Sequence, residues 1–198
     1  MSVAILVVSC AKKINTINAS DMSEAPLQRV SGMFAVQTSN GDVQMRMEAR
    51  VMEHYETDSS QVDIFPSGFA VYSYKDDILE SLIMADIARH TTMKQGVQDE
   101  KWEAFGNVVI HNVVKAETME TDTLYWDRRK SEIYTDSYVK MYSGSGFMQG
   151  YGMRSDDRAR NSILLRPFNS YGVTVQDTTK VVIDSVNFIG PFPKNGKN

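Results

Sequence analysis

The sequence predicts an all-β protein made of antiparallel strands that follow one another along the chain. The first observation is alternation, because between Asp42 and Val51 apolar Val, Met and Ala residues alternate with Gln, Arg and Glu. The second is that similar segments recur through residues 102–157, separated by short runs of Asp, Asn, Ser, Gly and Lys that suit turns. The third is that no stretch of residues 102–157 has helical spacing long enough to compete. We expect an open antiparallel roll or sandwich, with flexible N- and C-terminal tails.

Composition limits the classes of function. The chain has 198 residues, which is enough for one domain with a core and tails. Its net charge of -4, without a basic block, argues against nucleic acid as a partner. The 12 Met residues either fill irregular core space or line an adaptable binding surface, and both interpretations stay open here. No apolar run approaches the roughly 20 residues that a membrane-spanning helix needs.

Several local signals place the strands and turns. Asn40-Gly41 predicts a hairpin turn, and Pro66 interrupts the strand pattern of residues 63–74. Residues 78–92 fit both a helix and a strand; we predict a strand, because strands are expected on both sides. Residues 181–189 predict one more strand.

The sequence shows no motif for catalysis, cofactor binding or metal binding. His54, His90 and His111 are isolated, without the spacing of a metal-binding motif. The glycines of residues 144–152 lie between strand-like segments, so they predict bends or bulges and not a phosphate-binding loop. We therefore predict neither enzyme activity nor a cofactor.

The N-terminus predicts an anchor. Residues 7–10, Val-Val-Ser-Cys, resemble a bacterial lipobox, in which a small residue precedes a Cys that becomes acylated. Residues 1–10 then form a lipoprotein-type signal segment, Cys10 carries lipid, and residues 11–31 form a tether. The alternative is a free Cys10 in a short buried strand.

The order of several sequence words resembles one family. A Cys near the start and an alternating first strand are followed by SLIMADIA, WEAFGNVVI, TLYWD, IYTD and GSGFMQGYGM. Together they resemble the LptC family of lipopolysaccharide export and the related OstA-like domains, over Asp42 to Asp157. The resemblance implies an elongated, open β-jelly roll over residues 32–157, whose two sheets splay around an apolar groove. Residues 158–198 would be a C-terminal tail, partly disordered.

The resemblance also implies a function. The protein would be a periplasmic bridge component, anchored to the inner membrane through Cys10. It would accept lipopolysaccharide from an inner-membrane ABC transporter and pass it along the groove to an LptA-like bridge protein. ATP would be hydrolysed elsewhere, so no catalytic residue is needed.

Ten apolar residues are predicted to face inward, and as a set they could line the lipid groove. They are Val43, Met45, Met47, Val51, Val108, Ile110, Leu124, Trp126, Val139 and Met141. Two other functions remain open at this point. One is a lipid-anchored structural or adhesive β-protein with a dry core, and the other is a hydrolase of envelope glycans with carboxylates gathered from separate strands.

Overall fold

The computed structural model describes residues 25–94, 100–173, 180–183 and 188–189, and every regular element in these ranges is a β-strand. The strands are β1 (Gln28–Ser39), β2 (Asp42–Glu56), β3 (Ser60–Phe65), β4 (Phe69–Lys75), β5 (Ile78–Ala85), β6 (Ile87–Met93), β7 (Glu100–Asn112), β8 (Glu117–Asp127), β9 (Glu132–Ser143), β10 (Gly146–Asp156), β11 (Ile163–Val173), β12 (Lys180–Ile183) and β13 (Phe188–Ile189). Within these ranges, no helix is long and apolar enough to cross a membrane.

The strands form one antiparallel sheet that follows the order of the chain. β2 pairs with β4 along its first half and with β3 along its second half, so β3 and β4 act as one interrupted strand. In the same way, β5 and β6 lie end to end between the β3–β4 strand and β7. From β7 onwards each strand pairs with the next one in sequence. The sheet is therefore a simple meander of long strands, which the alternating pattern with short turns predicts.

The interruptions of neighbouring strands lie side by side and form a bend across the sheet. Gly68, Gly106 and Gly152 lie at these points with φ values of 93°, 73° and 80°, a left-handed region that favours glycine. The Gly68 amide donates to the Asp86 carbonyl over 2.7 Å, and the Asp86 amide donates to the Gly106 carbonyl over 3.0 Å. A Cβ on Gly106 would lie 2.9 Å from Asp86 Oδ2, so a side chain would also collide there. Asn107, beside it, has φ 43° and donates its side-chain amide to Asp86.

The bend brings the two halves of the sheet face to face around an apolar interior. One cluster of buried residues lies towards the C-terminal strands and is centred on Val108, Ile110, Met119 and Val139, all fully buried. A second cluster lies towards the N-terminal strands and contains Phe65, Phe69, Val71 and Ala88. The interior thus runs along the molecule, perpendicular to the strands, as an elongated and open β-jelly roll requires.

The sheet extends beyond both predicted boundaries of the jelly roll. β1 begins at Gln28, inside the predicted tether, and β11 adds a long strand after residue 157. Among the described residues, β1 is an edge strand with apolar residues exposed on one face, so it lacks a clean alternation of apolar and polar residues. In β11, Pro167 makes the strand difficult to predict from sequence, because proline in a sheet is expected only on edge strands or at bulges.

Other predictions about single segments are resolved by the structure. Residues 78–92 are strands and not a helix, and Asn40-Gly41 is the β1–β2 turn with positive φ at both residues. Residues 181–189 hold parts of two strands, β12 and β13, where one was predicted. Cys10, residues 11–24 and the final residues lie outside the described part of the chain.

Two isoleucines give a matched test of the interior. Ile110 is fully buried in the first cluster, whereas the side chain of Ile78 is exposed. We expect Ile110→Ala to lower the free energy of unfolding by about 2–5 kcal/mol, because it removes buried methyl groups and leaves a cavity. Ile78→Ala should change it by only about 0.5 kcal/mol. Urea unfolding measures both values, and equal losses for the two variants would contradict the placement of the core.

Candidate functional site

A cavity lies inside the bent sheet at the N-terminal end of the interior. Its volume is about 50 Å³. Its walls come from both halves of the sheet and are mostly apolar and aromatic. The principal wall residues are Met45, Phe69, Val71, Ile83, Trp102, Leu124, Trp126 and Ile133. Pockets that hold drug-sized ligands have volumes of roughly 300–1,000 Å³. The cavity is thus narrow in this conformation, and the two halves of the sheet would have to separate for it to hold a ligand of that size.

Trp102 is the centre of the aromatic wall. Strand register places His90, Trp102 and Trp126 directly across from one another on β6, β7 and β8. The ring of Trp102 stacks on that of His90, with 4.2 Å between centroids, and lies 6.1 Å from the ring of Trp126. It also stacks against Phe65 and Phe69 at 6.1 and 5.8 Å. Cross-strand aromatic pairs of this kind fix the register of neighbouring strands and build a rigid apolar surface.

The two tryptophans carry a polar feature that a dry core seldom has. Their indole Nε1 atoms are both buried and have no hydrogen-bond partner among the described residues. Buried tryptophan N–H groups usually find an acceptor, and an unsatisfied buried donor costs about 1–3 kcal/mol. Two such donors beside one cavity leave that wall open to a ligand that brings acceptors of its own.

A polar cluster follows the aromatic wall towards the end of the groove. Asp63 on β3 lies between two histidines, with His54 Nδ1 2.6 Å from its Oδ1 and His90 Nδ1 3.3 Å from its Oδ2. Burial raises the pKa of Asp63, but hydrogen bonds from His90 and His54 and the charges of both rings outweigh it. The pKa of Asp63 is therefore below its ordinary value. Within the described ranges, no group of three or more His, Cys, Asp or Glu side chains is arranged to hold a metal ion.

The structure divides the ten predicted inward residues into three groups. Eight of them belong to the two apolar clusters. Only Met45, Leu124 and Trp126 also reach the cavity from inside. Of the other five, Met47 belongs to the N-terminal cluster, whereas Val108, Ile110, Val139 and Met141 are buried together in the C-terminal cluster.

Val43 and Val51 are the two that join neither cluster. The reason at Val51 is a change of phase in β2. Met45, Met47 and Ala49 pack inward, but the next β2 residue in the cluster is Met52. Pairing shifts by one residue between β4 and β3, and a one-residue shift exchanges the two faces of a strand.

Sequence reasoning missed several wall residues that the structure brings together. Phe69 and Val71 belong to a segment whose alternation was recognised, but they were not assigned to the groove. Trp102 shares the parity of Val108 and Ile110, which would have been enough to include it. Ile133 reaches the wall only because β9 places it directly opposite Trp126.

A bent antiparallel sheet that encloses an apolar groove is typical of β-proteins that shelter apolar ligands. The family model described as "Lipopolysaccharide-assembly, LptC-related" matches residues 12–169, well over half of the chain. The protein therefore belongs to the LptC family and is a component of lipopolysaccharide transport, associated with the cell envelope in the periplasm. The β-jelly roll agrees with this membership. No curated protein matches the sequence.

The Asp63 cluster predicts a dependence of stability on acid pH. A carboxyl group whose pKa is lowered by folding stabilises the protein above its unfolded pKa of about 3.9. That contribution is lost as the pH falls through the lower pKa of the folded state. Asp63→Asn should therefore be less stable than the wild type near neutral pH, and the gap should narrow below about pH 4.

Urea unfolding between pH 7 and pH 2.5 measures this gap. Asp58→Asn is the control, because Asp58 is exposed in the turn between β2 and β3. Asp58→Asn should show no comparable difference in stability from the wild type at any pH. A gap for Asp63→Asn that stayed constant down to the lowest pH would contradict the assigned role of the two histidines.

Proposed function

We propose that this protein is a periplasmic bridge component of the lipopolysaccharide export machine, without enzyme activity. It accepts lipopolysaccharide from an inner-membrane ABC transporter and passes it along the apolar groove to an LptA-like bridge protein. The observation that carries the proposal is the cavity beside Trp102 and Trp126, built from both halves of the bent sheet. Membership of the LptC family supports it.

The groove favours a lipid-handling role over a structural protein with a dry core. A core selected only for stability packs without voids and satisfies its polar groups. The C-terminal cluster is fully buried around Val108 and Val139, although the buried Thr121 hydroxyl opposite them also has no described partner. The N-terminal end differs because it keeps an apolar cavity, bordered by two indoles whose donors have no described partner. The acyl chains of a lipid would fill such a cavity, and their ester or amide carbonyls are acceptors for indole N–H groups.

The two edges of the sheet support contacts with partner proteins on both sides. β1 pairs only with β2, and among the described residues no strand covers its other side. At the opposite end, β11 pairs with β12 only from Ser170 onwards, so residues 163–169 have no described neighbour beyond β11. Open strand edges recruit strands of other proteins through backbone hydrogen bonds. One edge would face the transporter and the other the next bridge protein.

The position of the predicted anchor fits this arrangement. Cys10 lies 18 positions before Gln28, where β1 begins. A fully extended chain of that length spans at most about 65 Å. An acylated Cys10 would therefore hold the β1 edge within that distance of the inner membrane.

Three residues of β8 give a matched test for lipid in the groove. Leu124 and Trp126 line the cavity, whereas Glu120 is exposed on the same strand and does not line it. With a photoreactive side chain at each position in turn, we expect lipopolysaccharide adducts at 124 and 126 to exceed those at 120 by at least tenfold. The adducts should depend on ATP and on the transporter. Equal labelling at the three positions, or none, would favour the dry-core alternative.

Photocrosslinking also tests the two edges of the sheet. Phe34 and Val36 are exposed on β1, and Ile163 and Leu165 are exposed on β11. Photoreactive residues at these positions in cells should capture protein partners, with different partners at the two edges. A probe at Tyr72, on a strand in the middle of the sheet, is the control and should capture neither. Capture of one and the same partner from both edges would contradict a bridge that is continued on either side.

A further inference from the structure

The turn between β10 and β11 crosses the open side of the bent sheet. We call residues Asp157–Arg160 the clasp. It begins at the end of β10, on one half of the sheet, and touches the ends of three strands that belong to the other half. The Arg158 guanidinium donates to Gln44 Oε1 over 3.1 Å and to Glu80 Oε2 over 3.4 Å, at the ends of β2 and β5. The Asn112 side chain, at the end of β7, donates to the Ala159 carbonyl over 2.9 Å.

The clasp is held from both sides by specific contacts. On its own half, the Asp156 carboxylate accepts hydrogen bonds from the backbone amides of Arg158 and Arg160, over 3.2 and 2.9 Å. The Asp157 amide donates to the Ser131 carbonyl over 3.0 Å. On the far side, Ala159 is fully buried in the C-terminal apolar cluster. An exposed surface turn would not need these partners, so the crossing is a built feature of the closed roll.

The clasp lies where the groove opens to solvent. Asp157 borders the apolar cavity and also a polar cavity of about 270 Å³ beside it, and Met45 and Trp126 border both. Gln44, Arg158 and Arg128 line the polar cavity. A lipid with its acyl chains in the apolar cavity would therefore place its polar head in or near the polar one, directly beneath the clasp.

The contacts that close the clasp are few and partly accessible. Arg158 and Glu80 form an ion pair whose side chains are 29% and 11% exposed, and the only apolar side chain of the clasp is the methyl group of Ala159. Release of the clasp would replace the partners of Arg158 with water, break the buried hydrogen bond from Asn112 to Ala159 and expose one methyl group. These contacts are separate from the pairing of β10 with β11, so the far side of the clasp can detach while those strands remain paired.

We infer that the clasp is a gate on the side of the groove, closed in this conformation and released when a lipid enters the groove or moves along it. The inference rests on the proposed function. A lipid that keeps its chains inside and its bulky head outside cannot slide past a segment of polypeptide that joins the two rims. The narrow cavity of this closed conformation agrees, since release of the clasp would allow the two halves to separate.

A reversible cross-link tests the gate. In the full chain with Cys10→Ser, Gln44→Cys and Arg158→Cys place one thiol on each side of the opening. In the wild type, residues 44 and 158 meet through the ends of two long side chains, so cysteines at these positions would be too far apart for a direct disulfide. A bis-maleimide whose linker contains a cleavable disulfide therefore joins them. The probe is purified lipopolysaccharide with a fluorophore on its glycan. We expect the linked protein to take it up at least tenfold more slowly than the same protein before linking, and cleavage of the linker to restore the rate.

A second cross-linked pair controls for the chemistry. Glu120 and Lys140 lie opposite each other on β8 and β9, on the outer face of the sheet. Linking Glu120→Cys to Lys140→Cys in the same background should leave uptake unchanged. Uptake by the Gln44–Arg158 linked protein at the unlinked rate would overturn the gate and leave the proposed function standing. An absence of uptake by the Cys10→Ser protein and by every variant would overturn the proposed function, and the gate with it.

A milder variant keeps the test decisive if the double variant does not fold. Glu80→Gln retains the shape of the side chain and removes the charge that faces Arg158. It should speed uptake at least threefold relative to the wild type, whereas Glu48→Gln, on the outer face of β2, should not. An unchanged rate for Glu80→Gln in a folded protein would overturn the gate.

Discussion

The bend across the sheet is the constraint on which the rest of the structure depends. A flat meander of these strands would expose one apolar face along its whole length, and such a surface aggregates. Folding at Gly68, Gly106 and Gly152 turns that face upon itself, so each half covers the other. The bond from Gly68 to Asp86 and the next from Asp86 to Gly106 keep neighbouring bends in line. Bends that were not aligned would leave strands that cannot pair with both neighbours.

Folding a sheet in this way closes one side of the interior and leaves the other side open. At the C-terminal end, branched and Met side chains are buried against one another. At the N-terminal end, flat aromatic rings and small residues such as Ala85, Ala88 and Ala104 leave a gap between the halves. The same bend thus yields a dry core that holds the roll together and a groove that can receive a ligand. The clasp lies over the open side and contacts the opposite rim through Gln44, Glu80 and Asn112.

The amount that could be predicted differs between the fold and the site. Strand alternation predicted inward positions for five residues that belong to the apolar clusters, because each lies in a run of regular pleat: Met45, Met47, Leu124, Trp126 and Val139. Val51 was placed inward by the same rule, and the rule failed because β2 changes phase between Ala49 and Met52. β8 changes phase as well, from Met119 inward to Leu124 inward, at its irregularity between Thr121 and Tyr125. A bulge of this kind depends on the partner strand, so no local sequence pattern predicts it.

The sequence by itself determined that the chain forms antiparallel strands, which residues alternate on each strand, and where most of the turns lie. It did so because pleating and turn conformation are set by residues close together in the chain. Only the tertiary structure decided which apolar residues fill a dry core and which border a cavity, and that Arg158 reaches Gln44 and Glu80. Those outcomes depend on contacts between residues up to 114 positions apart, which form only when the aligned bends bring the two halves together.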